Sequence, residues 1–283
     1  MSEADGGALG VVPPQGGRVS IQAMRWAAAD GWVLTSRALA HWARKPGEVA
    51  VGLLFPVMVV LMMGYLFGGQ MDVPGGSAGY RAFIVPGMFA LTMAFGVETT
   101  FAAIASDASK GVTDRFRSMP MASSAVVVGR ATADMLHSVV ALAVMAACGV
   151  LIGWRVHDGA GRALAGLGLL LLLRFSLVWL GVYLGLVAKG PESVAAVQVL
   201  VWPIGFLSSA LVAPSTMPGW LGAIAEWNPM SATVTACREL FGEPAAGGSW
   251  AAQHSVLMAV VWPLAIAAVF LPLSVRRYRA LGR

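Results

Sequence analysis

The sequence predicts an all-α integral membrane protein. Six transmembrane helices are preceded by an N-terminal interfacial helix, and short re-entrant or outer helices come before the last span. Both termini are expected in the cytoplasm. Three observations lead there. The 283 residues are 58% hydrophobic with a mean hydropathy of +0.74, against roughly 45–50% apolar residues in an ordinary soluble domain. Six segments are long and apolar enough to cross about 30 Å of hydrocarbon as helices. The cationic residues are distributed very unevenly among the connections between those segments.

The spans are expected near 48–68, 82–105, 130–152, 163–187, 194–213 and 254–275. With the N-terminus inside, the inner segments carry Arg18, Arg25, Arg37, Arg44, Lys45, Lys110, Arg115, Arg117, Arg130, Lys189, Arg276, Arg277, Arg279 and Arg283. The outer segments carry only Arg81, Arg155, Arg162 and Arg238. The excess of inner cations orients the chain with both ends in the cytoplasm. The second outer loop, with Arg155 and Arg162, fits that rule least well.

Ahead of the first span, residues 1–20 form a Gly/Pro-rich polar stretch without a signal-peptide core, and they predict a disordered cytoplasmic tail. The remainder, 21–283, is expected to be one transmembrane domain. Between residues 20 and 45, Leu34, Ala38 and Trp42 recur at four-residue spacing among Arg37, His41, Arg44 and Lys45. That pattern suits a helix lying on the inner leaflet and ended by Pro46, or one packed on a cytosolic partner.

The connection between the second and third spans, Ser106 to Arg130, is a charged island in a chain that is only 12% charged. Asp107, Lys110, Asp114, Arg115 and Arg117 gather before Pro120, while Ala108, Val112 and Phe116 fall four apart. A solvated loop would account for the charges. A short amphipathic helix with one apolar edge would account for the spacing as well, and could dock a cytosolic protein.

The segment before the last span, "APSTMPGWLGAIAEWNPMSATVTACRELFGEP", is too polar and proline-rich to cross a membrane. It predicts two short helices, one after Pro218 and one after Pro229, with Asn228 capping the second. Trp220, Leu221, Ile224 and Trp227 form an apolar stripe at helical spacing. Such backbone either dips into the outer leaflet under cover of protein or forms an extracellular interfacial helix.

Several chemistries find no support. No GxxxxGK[ST] precedes Lys45, Lys110 or Lys189, so the chain builds no P-loop. Neither His41, His137, His157 and His254 nor Cys148 and Cys237 show metal-ligand spacing, and no catalytic constellation or nucleic-acid module is visible. Four ionisable residues fall within the expected spans: Glu98 in the second, Asp134 and His137 in the third, and Arg174 near the middle of the fourth. Intramembrane charges mark a substrate path or gate, or a pair that locks helix packing, and the residues alone leave both open.

Two motifs carry a family resemblance. "DASKGVTDRFRSMPMASSAVVVGRATAD" resembles the cytoplasmic loop of ABC-2 type transporter permeases, nearest to the daunorubicin/doxorubicin-resistance group. "MPGWLGAIAEWNPMSATVTACREL" is similar to that family's segment before the last span. The resemblance covers residues 30–280. It implies a multi-pass permease of the cell membrane that belongs to an ATP-driven exporter of hydrophobic drugs, natural products or lipid-like molecules. The permease would itself have no catalytic residue, metal or bound cofactor. ATP and Mg would be used by a separate cytosolic ABC ATPase subunit, and a second permease subunit, identical or different, would complete the assembly in membrane lipid. Carried onto this sequence, Asp107, Gly111, Asp114, Arg115, Arg117 and Pro120 would couple to the ATPase. Trp220, Trp227, Asn228, Pro229 and Arg238 would shape an outer gate. A proton-coupled secondary transporter using Glu98, Asp134 or His137, or an exporter of lipid-linked glycans, are the alternative readings.

Overall fold

The computed structural model describes residue 44 and residues 46–68, 76–109, 123–188, 191–243 and 249–280. These residues are helical or irregular, with no strand among them. Helix α1 is Pro46–Met62, continued by a π-helical turn at Met63–Phe67. Then come α2 (Gly76–Ser109), α3 (Ser123–Leu151), α4 (Ala160–Val187) and α5 (Pro191–Phe206). The short α6 (Gly219–Trp227) and α7 (Pro229–Phe241) lead through one turn, α8 (Trp250–Gln253), into α9 (Ser255–Ala280).

Five of these helices are long and apolar enough to cross a membrane: α1 with its π turn, α2, α3, α4 and α9. They match the first four and the last of the expected spans. The expected span at 194–213 differs. Its helix stops at Phe206 after 16 residues, about 24 Å at 1.5 Å per residue and short of the hydrocarbon thickness. Pro203 removes a donor from its last turns and Gly205 weakens them further. Residues 207–213 continue as irregular backbone. The interfacial helix expected before the first span, and the island from Lys110 to Ala122, lie outside the described residues, as does the tail 1–20.

Helix α4 is the hub and packs against α2, α3, α7 and α9. Without a hydrophobic drive between helices in lipid, close approach must supply the attraction. Accordingly Gly181 and Gly185 of α4 lie against the Val97–Ile104 stretch of α2, where an added Cβ would sit 3.0 Å from the Val97 carbonyl and 2.7 Å from Ile104. The main core joins Phe89, Met93, Met145, Leu170, Leu173, Val234 and Phe241, all fully buried. A second cluster, toward the expected inner end, seats Tyr278 of α9 against Val127, Val178, Trp179 and Val182. There Ser274 donates a hydrogen bond to the Trp179 carbonyl (3.1 Å). By contrast α1 and α5 leave most of their large apolar side chains exposed, among them Leu54, Phe55, Met58, Val199, Leu200 and Ile204.

Three of the four arginines expected on the outer side are engaged locally. Arg155 donates to the Val150 and Trp154 carbonyls at the end of α3 (2.6 and 2.9 Å), a cation placed on a helix C-terminus. Arg162 pairs with Asp158 one turn away, and Arg81 donates to Ser77 (3.3 Å).

Candidate functional site

Two polar assemblies stand out in an otherwise apolar molecule. The first is buried between α2, α3 and α4. Arg174 is only 3% exposed, so it does not reach toward lipid. Its Nε donates to Ser138 Oγ of α3 (2.8 Å), and its Nη2 donates to Thr100 Oγ1 of α2 (2.9 Å). Thr100 in turn donates to Asp134 Oδ2 (2.7 Å). Asp134 also faces Arg130 one turn earlier on α3, at 3.2 Å. The cation and the carboxylate are thus joined through a hydroxyl, and Ser138 donates onward to the Asp134 carbonyl (2.7 Å).

Gly96 makes this possible. A Cβ there would lie 2.7 Å from Arg174 Cζ and 2.8 Å from Nη1, where the guanidinium now sits. Gly96 and Thr100 are four residues apart, so both face α4. His137 is half-buried on α3, three residues from Asp134. Glu98 lies two residues from both Gly96 and Thr100, about 200° around α2, so it faces away from Arg174. Of the four intramembrane candidates, Asp134 and Arg174 share a network and Glu98 stands apart.

The second assembly closes the end that the charge bias assigns to the outside. The irregular backbone after α5 must hand its polar groups to something at this depth, and α7 takes them. Asn228 Nδ2 donates to the Ile204 and Leu207 carbonyls (3.1 and 2.7 Å). Ser231 Oγ accepts from Ser209 N–H (2.8 Å), and the Ser231 carbonyl accepts from Ser209 Oγ (3.3 Å). Arg238, 5% exposed, donates to the Ala210 carbonyl (3.2 Å) and to the Phe83 carbonyl of α2 (2.9 Å). Its guanidinium lies 3.7 Å from the Phe83 ring centroid, a cation–π contact in a desolvated setting.

Both expected short helices form here. Asn228 caps the second by accepting from Met230 N–H (2.9 Å), with Pro229 in the first turn. The apolar stripe on α6 turns outward: Trp220, Ile224 and Trp227 are exposed, while Gly222 and Ala225 form the packing face. Exposed tryptophans at the end of a membrane bundle suit headgroup depth. Between α5 and α6, Ile204, Leu207, Ala223, Ile224, Trp227, Asn228 and Pro229 line an open apolar groove of about 600 Å³.

Among the ATPase-coupling candidates, Asp107 is half-buried near the end of α2. Gly111, Asp114, Arg115, Arg117 and Pro120 lie outside the described residues. Sequence reasoning missed Thr100, Ser138, Gly96, Ser209 and Ser231. For Ser138 there was a signal, since it sits four residues after Asp134 on one helix face.

Asn228 is tied to three backbone groups, so Asn228→Ala should cost about 1–3 kcal/mol through the lost cap and two unsatisfied carbonyls. Thermal unfolding in detergent should show a lower midpoint. An unchanged midpoint would mean that water or neighbouring groups serve those carbonyls equally well.

Against known proteins, residues 30–241 match the model of the ABC-2 type transporter family. A daunorubicin resistance ABC transporter permease protein from Streptomyces coeruleorubidus is 35% identical over 244 residues, covering 86% of this chain and 83% of the relative. A protein from Mycobacterium tuberculosis, named as a doxorubicin resistance ABC transporter permease, is 26% identical over 227 residues, covering 77% of this chain and 79% of its own length. With most of the chain inside the family match and its long apolar helices in place, this is a multi-pass cell-membrane permease belonging to the ABC-2 type transporter family.

Proposed function

We propose that this chain is the membrane half of an ATP-driven exporter that moves a hydrophobic drug, natural product or lipid-like substrate out of the cell. The observation that carries the reading is the 35% identity, over 86% of the chain, to a daunorubicin resistance permease. The sequence is compatible with it, because no phosphate-cradling loop occurs in these 283 residues and the reading assigns ATP hydrolysis to another protein. That protein is a separate cytosolic ABC ATPase, which uses ATP and Mg. A second permease subunit faces the first across the substrate path. Trp220, Trp227, Asn228, Pro229 and Arg238 form the outer gate, and α7 couples it to α2 and α5.

The island between α2 and α3 is the docking element, through Asp107, Gly111, Asp114, Arg115, Arg117 and Pro120. Neighbouring residues such as Asp114 and Arg115 do not face one another on a helix, so each is available to another chain. A charge buried at a docking interface costs about 2–5 kcal/mol when its partner is left unpaired, against a few tenths for an exposed one. Arg115→Glu and Asp114→Lys should therefore each reduce co-purification of the ATPase and export from cells, while the permease still inserts. Arg279→Glu, near the C-terminus, should be mild. If both island variants hold the ATPase as the parent does, the coupling role is wrong.

A further inference from the structure

Arg81, Arg155, Arg162 and Arg238 lie at the end that the charge bias assigns to the outside, against the rule that keeps cations in. Arg162 has a carboxylate partner in Asp158, and the buried Arg238 is held by the Phe83 and Ala210 carbonyls. Arg81 and Arg155 have no acidic partner among the described residues.

One turn of backbone gathers these two. Helix α3 closes with Gly153 at a φ of 94°. The Gly153 N–H donates to the Val150 carbonyl (3.1 Å) and the Trp154 N–H to the Gly149 carbonyl (2.9 Å), a turn that calls for glycine at this position. Arg155 folds back on the turn through the Val150 and Trp154 carbonyls. Arg81 reaches it from α2, and a Cβ on Gly153 would lie 3.7 Å from its Cζ. The carbonyl end of α3 offsets about half of one positive charge, and not two. Arg81 is the less satisfied of the pair. Its Nη2 donates to Ser77 Oγ (3.3 Å), while its Nε is shielded from solvent with no hydrogen-bond partner among the described residues.

The same end of α3 carries an apolar face that no other helix covers. Ala143, Ala147, Val150 and Leu151 are exposed at helical spacing, Leu151 to 78%. The stripe runs out where the two cations begin. An acyl chain on it would carry a phosphate toward the turn at Gly153, and phosphate is the anion that arginine's planar fork suits best. An ammonium on the same headgroup would bring a third positive charge beside the pair.

We propose that Arg81 and Arg155 hold the headgroup phosphate of an anionic phospholipid of the phosphatidylglycerol type, whose acyl chain lies along α3. This lipid is a resident of the folded protein and not its cargo, so the proposal is independent of the export reading.

The test uses the full chain in phosphatidylcholine nanodiscs. Trace phosphatidylglycerol or phosphatidylcholine carrying a diazirine in the acyl chain is added, and after irradiation the label on the α3 peptide that contains Leu151 is measured by mass spectrometry. Phosphatidylglycerol should label this peptide in clear excess over phosphatidylcholine. Arg81→Gln/Arg155→Gln should reduce that excess by about tenfold or more, and Arg81→Lys/Arg155→Lys should keep most of it. Arg155→Gln alone changes only an exposed side chain and should reduce the excess severalfold, which keeps the test decisive if the double variant does not fold. Arg276→Gln/Arg277→Gln, at the other end of the bundle, should leave it unchanged. Glycerol phosphate, which has the anion without the chains, should not compete. Equal labelling by the two lipids overturns the proposal. So does labelling of Arg155→Gln at the parent's level, a result that would leave the pair to a carboxylate of another chain. Displacement by glycerol phosphate overturns the lipid as occupant and makes the turn a site for free anions.

Discussion

Gly87→Ala should largely prevent the protein from assembling. A Cβ at Gly87 would lie 2.0 Å from the Ala210 carbonyl oxygen, 2.7 Å from its carbon and 2.9 Å from its Cα. All three are backbone atoms, so no side-chain rotamer can give way. Ala210 is fully buried, its carbonyl is held by Arg238 and its N–H by Ser208 Oγ (3.2 Å). Relief would require moving α2 away from the strap that follows α5, and with it the Arg238 contact to Phe83. Overpacking of this kind costs roughly 3 kcal/mol or more when backbone must shift. Gly168→Ala on α4 is the control, since nothing lies within 4 Å of its added Cβ. The yield of monodisperse protein and the unfolding midpoint should fall sharply for the first variant and stay level for the second. Equal behaviour would mean that the strap does not rest on α2.

That contact shows where the sequence stops being legible. Hydropathy runs unbroken from Val194 through Ala213, and so predicts a full span. The helix ends at Phe206 because Asn228 and Arg238 donate to carbonyls of an irregular strap and Ser231 accepts from one of its N–H groups, all from more than twenty residues later. Pro203 and Gly205 were the local hints, but their effect depends on distant partners. The outer helices were easier, since Pro218 and the Asn228–Pro229 pair are start signals that act locally. Arg174 was visible as a charge in an apolar run. Its attachment to Thr100 and Ser138 was not, because hydroxyls in membrane helices satisfy their own backbone by default. Nor could spacing alone separate Glu98 from Asp134. Only the orientation of α2 against α4 puts the two carboxylates on different sides.

Asp134→Ala should be far more damaging than Arg174→Leu, even though the two residues share one network. Removing Asp134 leaves the buried Arg174 cation with two neutral hydroxyls and no carboxylate. Breaking a buried pair from that side typically costs about 3–5 kcal/mol. Removing Arg174 leaves a tolerable arrangement. Asp134 keeps Arg130 at 3.2 Å and the Thr100 hydroxyl at 2.7 Å, while Ser138 keeps the Asp134 carbonyl. Leucine fills much of the volume, and a well-packed apolar replacement of a buried charge can be close to neutral. The double variant Asp134→Ala/Arg174→Leu should then recover much of what Asp134→Ala loses, a coupling measurable as a double-mutant cycle on unfolding midpoints. Arg174→Lys should be intermediate, since a lysine cannot serve Ser138 and Thr100 with one planar fork. Export in cells, read beside stability, separates the two roles left open by the sequence. A stable Arg174→Leu protein that exports normally makes the network a structural lock between α2, α3 and α4. A stable Arg174→Leu protein that holds its ATPase but fails to export places the buried cation in the transport step itself. If Asp134→Ala proves no worse than Arg174→Leu and the double variant recovers nothing, the carboxylate does not compensate the guanidinium, and the relay through Thr100 is not what holds the three helices.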